Sequence, residues 1–208
     1  YTSMRHDVIK AQVKEAGLDA HQRGLIADYL ALPDMRDTGQ GMVASGGLSP
    51  LLGALYLTPL DRRMDRLCKG KRLVHYVRYM DDIVLLARTR WQRRRAIAAL
   101  HEEIAALGLR LHRVKRFIGR TTQGFDFLGD QIRAGARLRP SAEGLRRMRV
   151  RARQLYEREG DWQRLRQYVL RRWRWHLGGL DGMVRRKGGV KRTWHHVLTH
   201  LGLKHPPG

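Results

Sequence analysis

Two adjacent aspartates, Asp81 and Asp82, are the residues of this sequence best placed to do chemistry. They lie between two apolar runs, residues 73–80 and 83–87, a pattern that predicts a strand, a turn and a second strand. Two crowded carboxylates repel each other, which destabilises a fold unless a cation lies between them. Divalent metals such as Mg²⁺ bind such hard oxygen ligands together with water and substrate phosphates. The alternative is a solvated hairpin tip, since aspartate is a common turn residue.

Helical periodicity precedes this predicted hairpin. Apolar residues at helical spacing predict two short helices within residues 6–32, with a stop at Gly17 and a restart at Asp19. The following stretch, residues 33–47, contains four glycines and several polar residues. It predicts an irregular loop.

A third helix is predicted between this loop and the hairpin, over residues 49–67. Ser49 is expected to be its N-cap, with Pro50 at its first position, because serine and proline are favoured there. Pro59 is expected to kink the helix, since proline removes an internal hydrogen bond. The hairpin is therefore expected to follow directly on a helix.

Helix and strand patterns also follow the hairpin. Residues 89–107 predict a helix with Trp91 on its apolar face and an arginine cluster at residues 93–95. Residues 109–132 alternate short apolar runs with glycines, which predicts a small set of antiparallel strands. The pattern after residue 140 is helical throughout, and Asp161 is expected to cap the second of these helices.

The fold class predicted from these elements is α+β, with two parts that meet near Arg139. Residues 1–139 are expected to form an antiparallel sheet packed on helices, and residues 140–208 a basic helical tail. Charge is distributed unevenly between these parts, because from Gln131 onward there are 20 Lys and Arg against 5 Asp and Glu.

The whole chain is strongly basic. It contains 42 Lys and Arg against 19 Asp and Glu, a formal net charge of +23, and its isoelectric point is near 11.4. Such a surface attracts polyanions, so nucleic acid is the expected partner and an anionic membrane surface is the weaker alternative. Cys68 is the only cysteine, which excludes an internal disulfide and a cysteine-based zinc site and suits a cytoplasmic protein. No apolar run approaches the roughly 18 residues of a membrane-spanning helix.

Four blocks of sequence occur in an order that carries further information. They are Gly47-Leu48-Ser49-Pro50-Leu51-Leu52-Gly53 with its continuation to Asp61, Tyr76-Val77-Arg78-Tyr79-Met80-Asp81-Asp82-Ile83-Val84, residues 109–119 with Lys115, and Gly124-Phe125-Asp126-Phe127-Leu128-Gly129. Together they resemble the palm of a bacterial reverse transcriptase of the group II intron and retron kind. In that family the blocks are the template- and nucleotide-binding loop, the catalytic hairpin, the block with a lysine near the leaving pyrophosphate, and the primer-grip turn.

The resemblance implies an RNA-directed DNA polymerase that adds dNTPs to a primer 3′-hydroxyl on an RNA template. It implies two Mg²⁺ ions, with Mn²⁺ as an alternative, bound by Asp81 and Asp82. Lys115 would serve as a general acid, although a lone lysine between strands is commonly a solvated side chain. The resemblance also assigns Ser49 and Pro50 to nucleotide binding, and Phe125, Phe127, Leu128 and Gly129 to the primer grip.

A third carboxylate of that metal site is implied on a strand five residues before Tyr1. Tyr1 would then be the aromatic steric gate of the nucleotide site, which favours dNTPs over rNTPs. Asp7 is the one nearby substitute, but its position indicates a helix-start residue. We therefore expect residues 1–208 to be a fragment, truncated at its N-terminus, that does not polymerise by itself. The rival interpretation is a non-catalytic, nucleic-acid-binding remnant of a reverse transcriptase.

Four residues depart from the family pattern. Ala44 stands where a polar template contact is common, and Ser45 where a glycine is expected. Arg116 replaces a threonine, and Asp130 replaces an aromatic residue at the end of the primer-grip block. These departures concern template handling and fidelity more than the reaction class.

The basic helical tail resembles the thumb of the same family. Its candidate phosphate-binding residues are Arg146, Arg147, Arg149, Arg151 and Arg153. The alternative for these arginines is a merely solvated helix face. The tryptophans at positions 162, 173 and 175 are expected in the core rather than as base-stacking platforms. The three histidines at positions 195, 196 and 200 indicate a short terminal helix rather than a zinc site, because no cysteine or carboxylate completes a ligand set.

Overall fold

The computed structural model describes residues 2–32, 39–43, 46–72, 74–112, 116–177, 195 and 197–201. The chain forms two compact units, Tyr1–Arg116 and Phe117–Gly208. The two units thus divide after Arg116, whereas the sequence predicts a boundary near Arg139. The reason is that residues 130–131 pair with Arg139 and Pro140, and residues 125–127 pair in turn with residues 130–132, which keeps these strands with the helices that follow. The assignment of the two parts as palm and thumb stays a prediction.

The first unit contains five helices and one β-hairpin in its described residues. In chain order they are α1 (His6–Glu15), α2 (Ala20–Ala31), α3 (Ser49–Tyr56), α4 (Thr58–Lys69), β1 (His75–Tyr79), β2 (Asp82–Leu86) and α5 (Arg90–Ala106). The fold class is α+β with antiparallel strands, as the sequence predicts.

Helices α1 and α2 confirm the predicted pair and its boundaries. Gly17 adopts φ = +73° just after α1, a conformation that favours glycine. Asp19 caps α2, because its carboxylate accepts from the Gln22 amide at 2.8 Å while the Gln22 side chain accepts from the Asp19 amide at 3.1 Å. This reciprocal capping box satisfies two amides that the helix leaves without partners.

The predicted kinked helix over residues 49–67 is instead two helices, α3 and α4, with Leu57 between them. Pro59 lies in the first turn of α4, where the missing amide costs nothing. Ser49 is not the N-cap of α3, because it is already the first helical residue and Leu48 precedes it as the cap. The α3 start therefore lacks a side-chain cap.

Buried apolar residues from α1, α3, α4 and α5 form the core of the first unit, among them Ile9, Leu52, Leu60 and Ile104. Tyr56 is fully buried within it. Its hydroxyl donates to the Leu107 carbonyl at 2.5 Å and accepts from the Arg5 amide at 3.3 Å. A buried tyrosine hydroxyl needs such partners, so Tyr56 fixes α3 against the end of α5 and the N-terminal segment.

Helix α5 confirms the predicted helix but corrects the orientation of its first turn. Thr89 and Gln92 form a capping box at its start, and Gly108 follows its end with φ = +69°. Its buried residues include Ala96, Ala99 and Ile104. Trp91, which the sequence places on the apolar face, is 58% exposed, because Ala96 and Ile104 project about 140° away from it around the helix.

The second unit contains, in its described residues, β3 (Phe125–Phe127), β4 (Asp130–Ile132), β5 (Arg139–Pro140), α6 (Ala142–Glu159) and α7 (Trp162–Leu177). The three strands are antiparallel in the order β3-β4-β5. The predicted strands over residues 109–132 are thus confined to 125–132 within the described part of that range. A short helical turn at residues 197–200 agrees with the predicted terminal helix.

Helices α6 and α7 pack through a small apolar core. Met148 and Ala152 of α6 are buried with Leu165 and Val169 of α7 and with Val197. Asp161 caps α7 as predicted, since its carboxylate accepts from the Gln163 amide at 2.7 Å and from the Arg164 amide at 3.2 Å. Among the helices of the described residues, none combines the length and the apolar character that crossing a bilayer requires.

Candidate active site

The predicted Asp-Asp hairpin is present, and its turn has an unusual backbone. Tyr79 pairs with Asp82, which leaves Met80 and Asp81 as the two turn residues. Met80 has φ = +53°, while Asp81 has no positive φ. Positive φ at the first turn residue alone is the signature of a type II′ turn, where glycine is usual. A methionine there is strained by about 1–2 kcal/mol, so its surroundings have to hold the turn in place.

Asp81 and Asp82 are both exposed at this tip, as are Tyr79 and Met80. Solvent screens the repulsion between the two carboxylates, so the hairpin tolerates them without a bound cation. Their exposure also leaves both groups free to bind a metal that keeps several waters. No group of three or more His, Cys, Asp or Glu side chains with metal-site spacing occurs among the described residues. The tip thus presents two adjacent, exposed carboxylates.

A charged network under the hairpin connects its turn to α4. Arg78 donates from Nε to Asp61 Oδ1 at 2.8 Å and from its second terminal nitrogen to Asp61 Oδ2. Its remaining terminal nitrogen donates to the carbonyl oxygen of Met80 at 2.9 Å. The Tyr76 hydroxyl donates to Asp61 Oδ1 at 2.5 Å. Arg78 therefore bridges the first turn of α4 and the strained turn that carries the aspartates.

Burial makes this network stronger than a surface ion pair. The Arg78 side chain is 12% exposed and that of Asp61 is 34% exposed. Burial and the hydrogen bond to Asp61 raise the pKa of Tyr76 well above its usual range, so this hydroxyl stays a neutral donor. The hydrogen bonds from Arg78 to Asp61 likewise raise the pKa of the guanidinium. The sequence analysis does not predict this network. The signal for it is that Arg78 alternates with Tyr76 on the less exposed side of β1, where an arginine needs a partner.

The predicted nucleotide-binding residues are the first two residues of α3, but their side chains differ in solvent exposure. Pro50 is exposed, whereas Ser49 is 1% exposed. Ser49 donates its hydroxyl to the Val43 carbonyl at 2.6 Å, and Tyr29 therefore donates to Ser49 Oγ across 2.8 Å. Gly46 completes this contact, because a Cβ there would lie 1.8 Å from the Tyr29 hydroxyl oxygen. In this structure Ser49 links the start of α3 to Tyr29 and Val43, and its role toward nucleotides stays a prediction.

The predicted primer-grip residues form the β3–β4 hairpin of the second unit. Leu128 and Gly129 are its two turn residues, and both have positive φ, as a type I′ turn requires. Phe125 and Phe127 are half-buried, and the Phe125 ring stacks on Phe117 with 6.3 Å between centroids.

The turn of this hairpin packs on the start of α6. The Gly129 carbonyl accepts from the Ser141 amide at 2.9 Å. A Cβ on Gly144 would approach the same carbonyl oxygen to 2.8 Å, closer than packed atoms tolerate. The backbone of the turn is thus tightly fixed against α6.

The candidate phosphate-binding arginines of α6 are partly neutralised by glutamates of the same helix. Glu143 accepts from Arg146 and Arg147, and Glu157 accepts from Arg153 at 2.6 Å. These bonds lower the pKa of Glu143 to about 2. The other two candidates differ, since Arg149 is half-buried and Arg151 makes only a 3.5 Å contact to Gln154. The glutamates lie three or four residues from these arginines, a spacing in the sequence at which such helix pairs form.

Several predicted residues lie outside the described part of the chain. They are Tyr1, Ala44, Ser45, Lys115 and His196. Asp7 is described, and it lies in the first turn of α1 with its carboxylate bound to Arg5. The hydrogen bond from Arg5 lowers the pKa of Asp7. This arrangement agrees with a helix-start role for Asp7.

Comparison with known proteins identifies one matching family. A search of curated proteins found no match. The family model described as reverse transcriptase (RNA-dependent DNA polymerase) matches residues 13–132. This match includes α2, α3, α4, the Asp81-Asp82 hairpin, α5 and the β3–β4 hairpin, and it covers more than half of the 208 residues. The chain therefore belongs to the reverse transcriptase family.

Proposed function

We propose that this protein is an RNA-directed DNA polymerase of the bacterial group II intron and retron-like kind, with its catalytic carboxylates at Asp81 and Asp82. The observation that carries the proposal is the strained turn of Met80 and Asp81, which exposes Asp81 and, next to it at the start of β2, Asp82. A methionine with positive φ is maintained there by Arg78 and Asp61. Strain of this kind concentrates at functional sites, and a merely solvated turn would not need it.

The residues of the tip fit divalent ions, because two adjacent aspartates offer the hard oxygen ligands that Mg²⁺ or Mn²⁺ prefers. When bound, two such ions would stabilise the attacking and leaving oxygens of an in-line displacement at the α-phosphate of a dNTP. Arg78 orients the turn, and its charge remains paired with Asp61. The substrates would be a DNA primer with a free 3′-hydroxyl, an RNA template and dNTPs.

Other residues of this proposal rest on the family resemblance. Lys115 would donate a proton to the leaving pyrophosphate, and Tyr1 would act as the steric gate of the nucleotide site. Pro50 and Ser49 would approach the nucleotide. The β3–β4 turn would hold the primer end. The single cysteine, Cys68, suits a cytoplasmic location.

We also propose that residues 1–208 do not polymerise by themselves. Among the described residues, no third carboxylate joins Asp81 and Asp82 in a metal-ligating group. Two exposed carboxylates alone bind divalent ions weakly, since nearby charge and rigidity set the affinity. Mg²⁺-dependent primer extension by residues 1–208 that disappears in Asp81→Asn would contradict this proposal.

A second candidate function is a non-catalytic nucleic-acid-binding remnant of the same family. The observation in its favour is that no cluster of three metal-ligating side chains occurs among the described residues. Both candidates predict that affinity for a primer–template falls steeply with salt, because phosphate contacts release counterions. They differ in whether the complex responds to substrate and metal.

The deciding experiment measures the dissociation rate of a labelled primer–template with and without dNTP and Mg²⁺. The polymerase proposal predicts that the matching dNTP slows dissociation only when Mg²⁺ is present, and that Asp81→Asn and Asp82→Asn abolish this effect. Asp28→Asn is the matched control, because it removes an exposed carboxylate from α2 in the same unit. Dissociation that ignores dNTP and Mg²⁺ in the unsubstituted protein would favour the remnant.

A further inference from the structure

The first turns of α5 expose a tryptophan among several arginines. Trp91 is 58% exposed, and the guanidinium carbons of Arg90 and Arg94 lie 5.0 Å and 5.6 Å from its ring centroid. Both distances allow cation–π attraction. Arg95 is exposed beside them. We call the surface formed by Arg90, Trp91, Arg94 and Arg95 the α5 basic surface.

Helical geometry places these four residues on one side of α5. At about 100° per residue, Trp91, Arg94 and Arg95 project within an arc of roughly 100°, and Arg90 adjoins it. The buried residues Ala96 and Ile104 project from the other side of the helix. Trp91 therefore contributes nothing to the core of the first unit.

The positive charge of this surface is not compensated in the described part of the chain. Residues 88–95 contain five arginines and no acidic residue, and none of the five forms an ion pair with a described carboxylate. Exposed Lys71 adds to the charge, because Gln92 Nε2 donates to its carbonyl at 2.9 Å and brings this residue to the start of α5. The arginines of α6 differ, since Glu143 and Glu157 pair with several of them. Repulsion within the α5 basic surface favours an anionic partner.

The α5 basic surface is separate from the candidate active site. Strand β2 begins at Asp82 in the hairpin tip and ends at Leu86, just before α5. Its length of four residue steps corresponds to about 13 Å. A ligand on the α5 basic surface is thus at the opposite end of the hairpin from the two aspartates.

We propose that the α5 basic surface binds single-stranded RNA, with an unpaired base stacked on Trp91 and phosphates beside Arg90, Arg94 and Arg95. The arginines select a polyanion, and the exposed indole selects bases that are not already stacked in a duplex. This contact goes beyond the proposed polymerase reaction, because it does not involve Asp81 or Asp82. It would hold RNA outside the active site.

The test compares a fluorescent 10-nucleotide oligouridine with a blunt RNA duplex of the same length in titrations with the whole chain. Trp91→Ala is expected to bind the single strand roughly tenfold more weakly, since stacking on one aromatic ring supplies such a factor or more. Trp91→Phe should retain most of the affinity, and the duplex should be affected by neither substitution. Melting temperatures should be unchanged, because Trp91 lies outside the core.

Charge is tested separately with Arg94→Gln. This variant should reduce the slope of log K against log salt for the single strand by about 0.7, the value for one phosphate contact. Arg23→Gln is the matched control, because it removes an exposed charge from α2 in the same unit and should leave affinity for oligouridine unchanged. Asp81→Asn should also bind oligouridine normally, which separates this proposal from the polymerase proposal.

Cross-linking with 4-thiouridine RNA locates the contact directly. The expected adduct lies on the peptide that contains Trp91. The proposal is overturned if Trp91→Ala binds oligouridine like the unsubstituted protein, or if it loses the same factor for the duplex. Cross-links that avoid residues 88–95 would overturn it as well.

Discussion

Substitution of Arg78 by methionine tests whether the network under the hairpin holds the turn of the candidate active site. Methionine keeps much of the side-chain volume but removes every hydrogen bond that Arg78 donates. Two of these bonds go to Asp61 and one to the Met80 carbonyl. The substitution therefore leaves Asp61 partly buried without its cation and releases the strained turn.

The size of the effect follows from burial. Breaking a fully buried ion pair costs about 3–5 kcal/mol, and breaking an exposed pair costs about 1 kcal/mol or less. Arg78 is nearly buried and Asp61 is about one-third exposed, so the pair falls between these limits. We expect Arg78→Met to lower the free energy of unfolding by about 2–3 kcal/mol.

Arg63 provides the matched control, because it lies in α4, the helix that also contains Asp61. Its pair with Glu102 spans 3.3 Å, but the two side chains are 41% and 66% exposed. Arg63→Met should therefore change the free energy of unfolding by about 0.5 kcal/mol or less. The contrast between the two variants isolates the effect of burial.

Urea unfolding followed by circular dichroism measures both variants, together with Asp61→Asn and the double variant Asp61→Asn/Arg78→Met. If Arg78 and Asp61 act as one unit, the double variant should lose at least about 1 kcal/mol less than the sum of the single losses. Additive losses would refute the reasoning. An effect of Arg78→Met no larger than that of Arg63→Met would refute it too.

Three further predictions concern local structure. Gly144→Ala should lower the free energy of unfolding by about 1–2 kcal/mol, because its Cβ would meet the Gly129 carbonyl oxygen at 2.8 Å. Gly24→Ala in α2 should instead raise the free energy of unfolding by about 0.5–1 kcal/mol, because a Cβ at Gly24 would have open space around it. Thermal melts compare the two variants directly. Glu143 has a pKa of about 2 against an ordinary 4.5, so the stability that it contributes is present above pH 4.5 and lost as the pH falls toward 2. Melting temperatures of Glu143→Gln should thus lie below those of the unsubstituted protein at neutral pH and converge with them near pH 2, and no convergence would contradict the pairing with Arg146 and Arg147. Gly46→Ala should destabilise the first unit, since its Cβ would overlap the Tyr29 hydroxyl, and Tyr29→Phe should partly rescue it in the same melting assay.

Local signals in the sequence were sufficient for most helices and for the hairpin. Asp19 and Asp161 were recognised as helix starts because capping depends on residues within one turn. The Asp81-Asp82 hairpin was recognised because its strands are adjacent in sequence. Such short-range features need no knowledge of distant contacts.

Features that depend on distant residues could not be predicted in this way. Ser49 has the type and position of a cap, but Tyr29 and Val43 engage its hydroxyl within the folded unit. Trp91 was assigned to the core by its spacing, whereas the packing of α4 and the hairpin fixes another side of α5. The Arg78–Asp61 pair spans 17 residues, so only the fold reveals it.

The two compact units divide after Arg116, and not where the composition of the chain changes. The sequence changes character after Pro140, which suggested a boundary near Arg139. Pairing of β4 with β5 and the bond from the Ser141 amide to Gly129 keep the β3–β4 hairpin with α6 instead. Composition does not show which neighbour a short strand joins.

Metal binding at the hairpin tip tests the central claim most directly. Mn²⁺ is paramagnetic, so a titration followed by nuclear magnetic resonance shows which backbone amides lie near the bound ion. The account predicts that low Mn²⁺ concentrations broaden the amide signals of Met80, Asp81 and Asp82 first, and that Asp81→Asn combined with Asp82→Asn removes this selective broadening while Asp28→Asn retains it. Broadening that is no stronger at the tip than at other exposed carboxylates, or that persists in the double variant, would contradict the assignment of Asp81 and Asp82 as metal ligands.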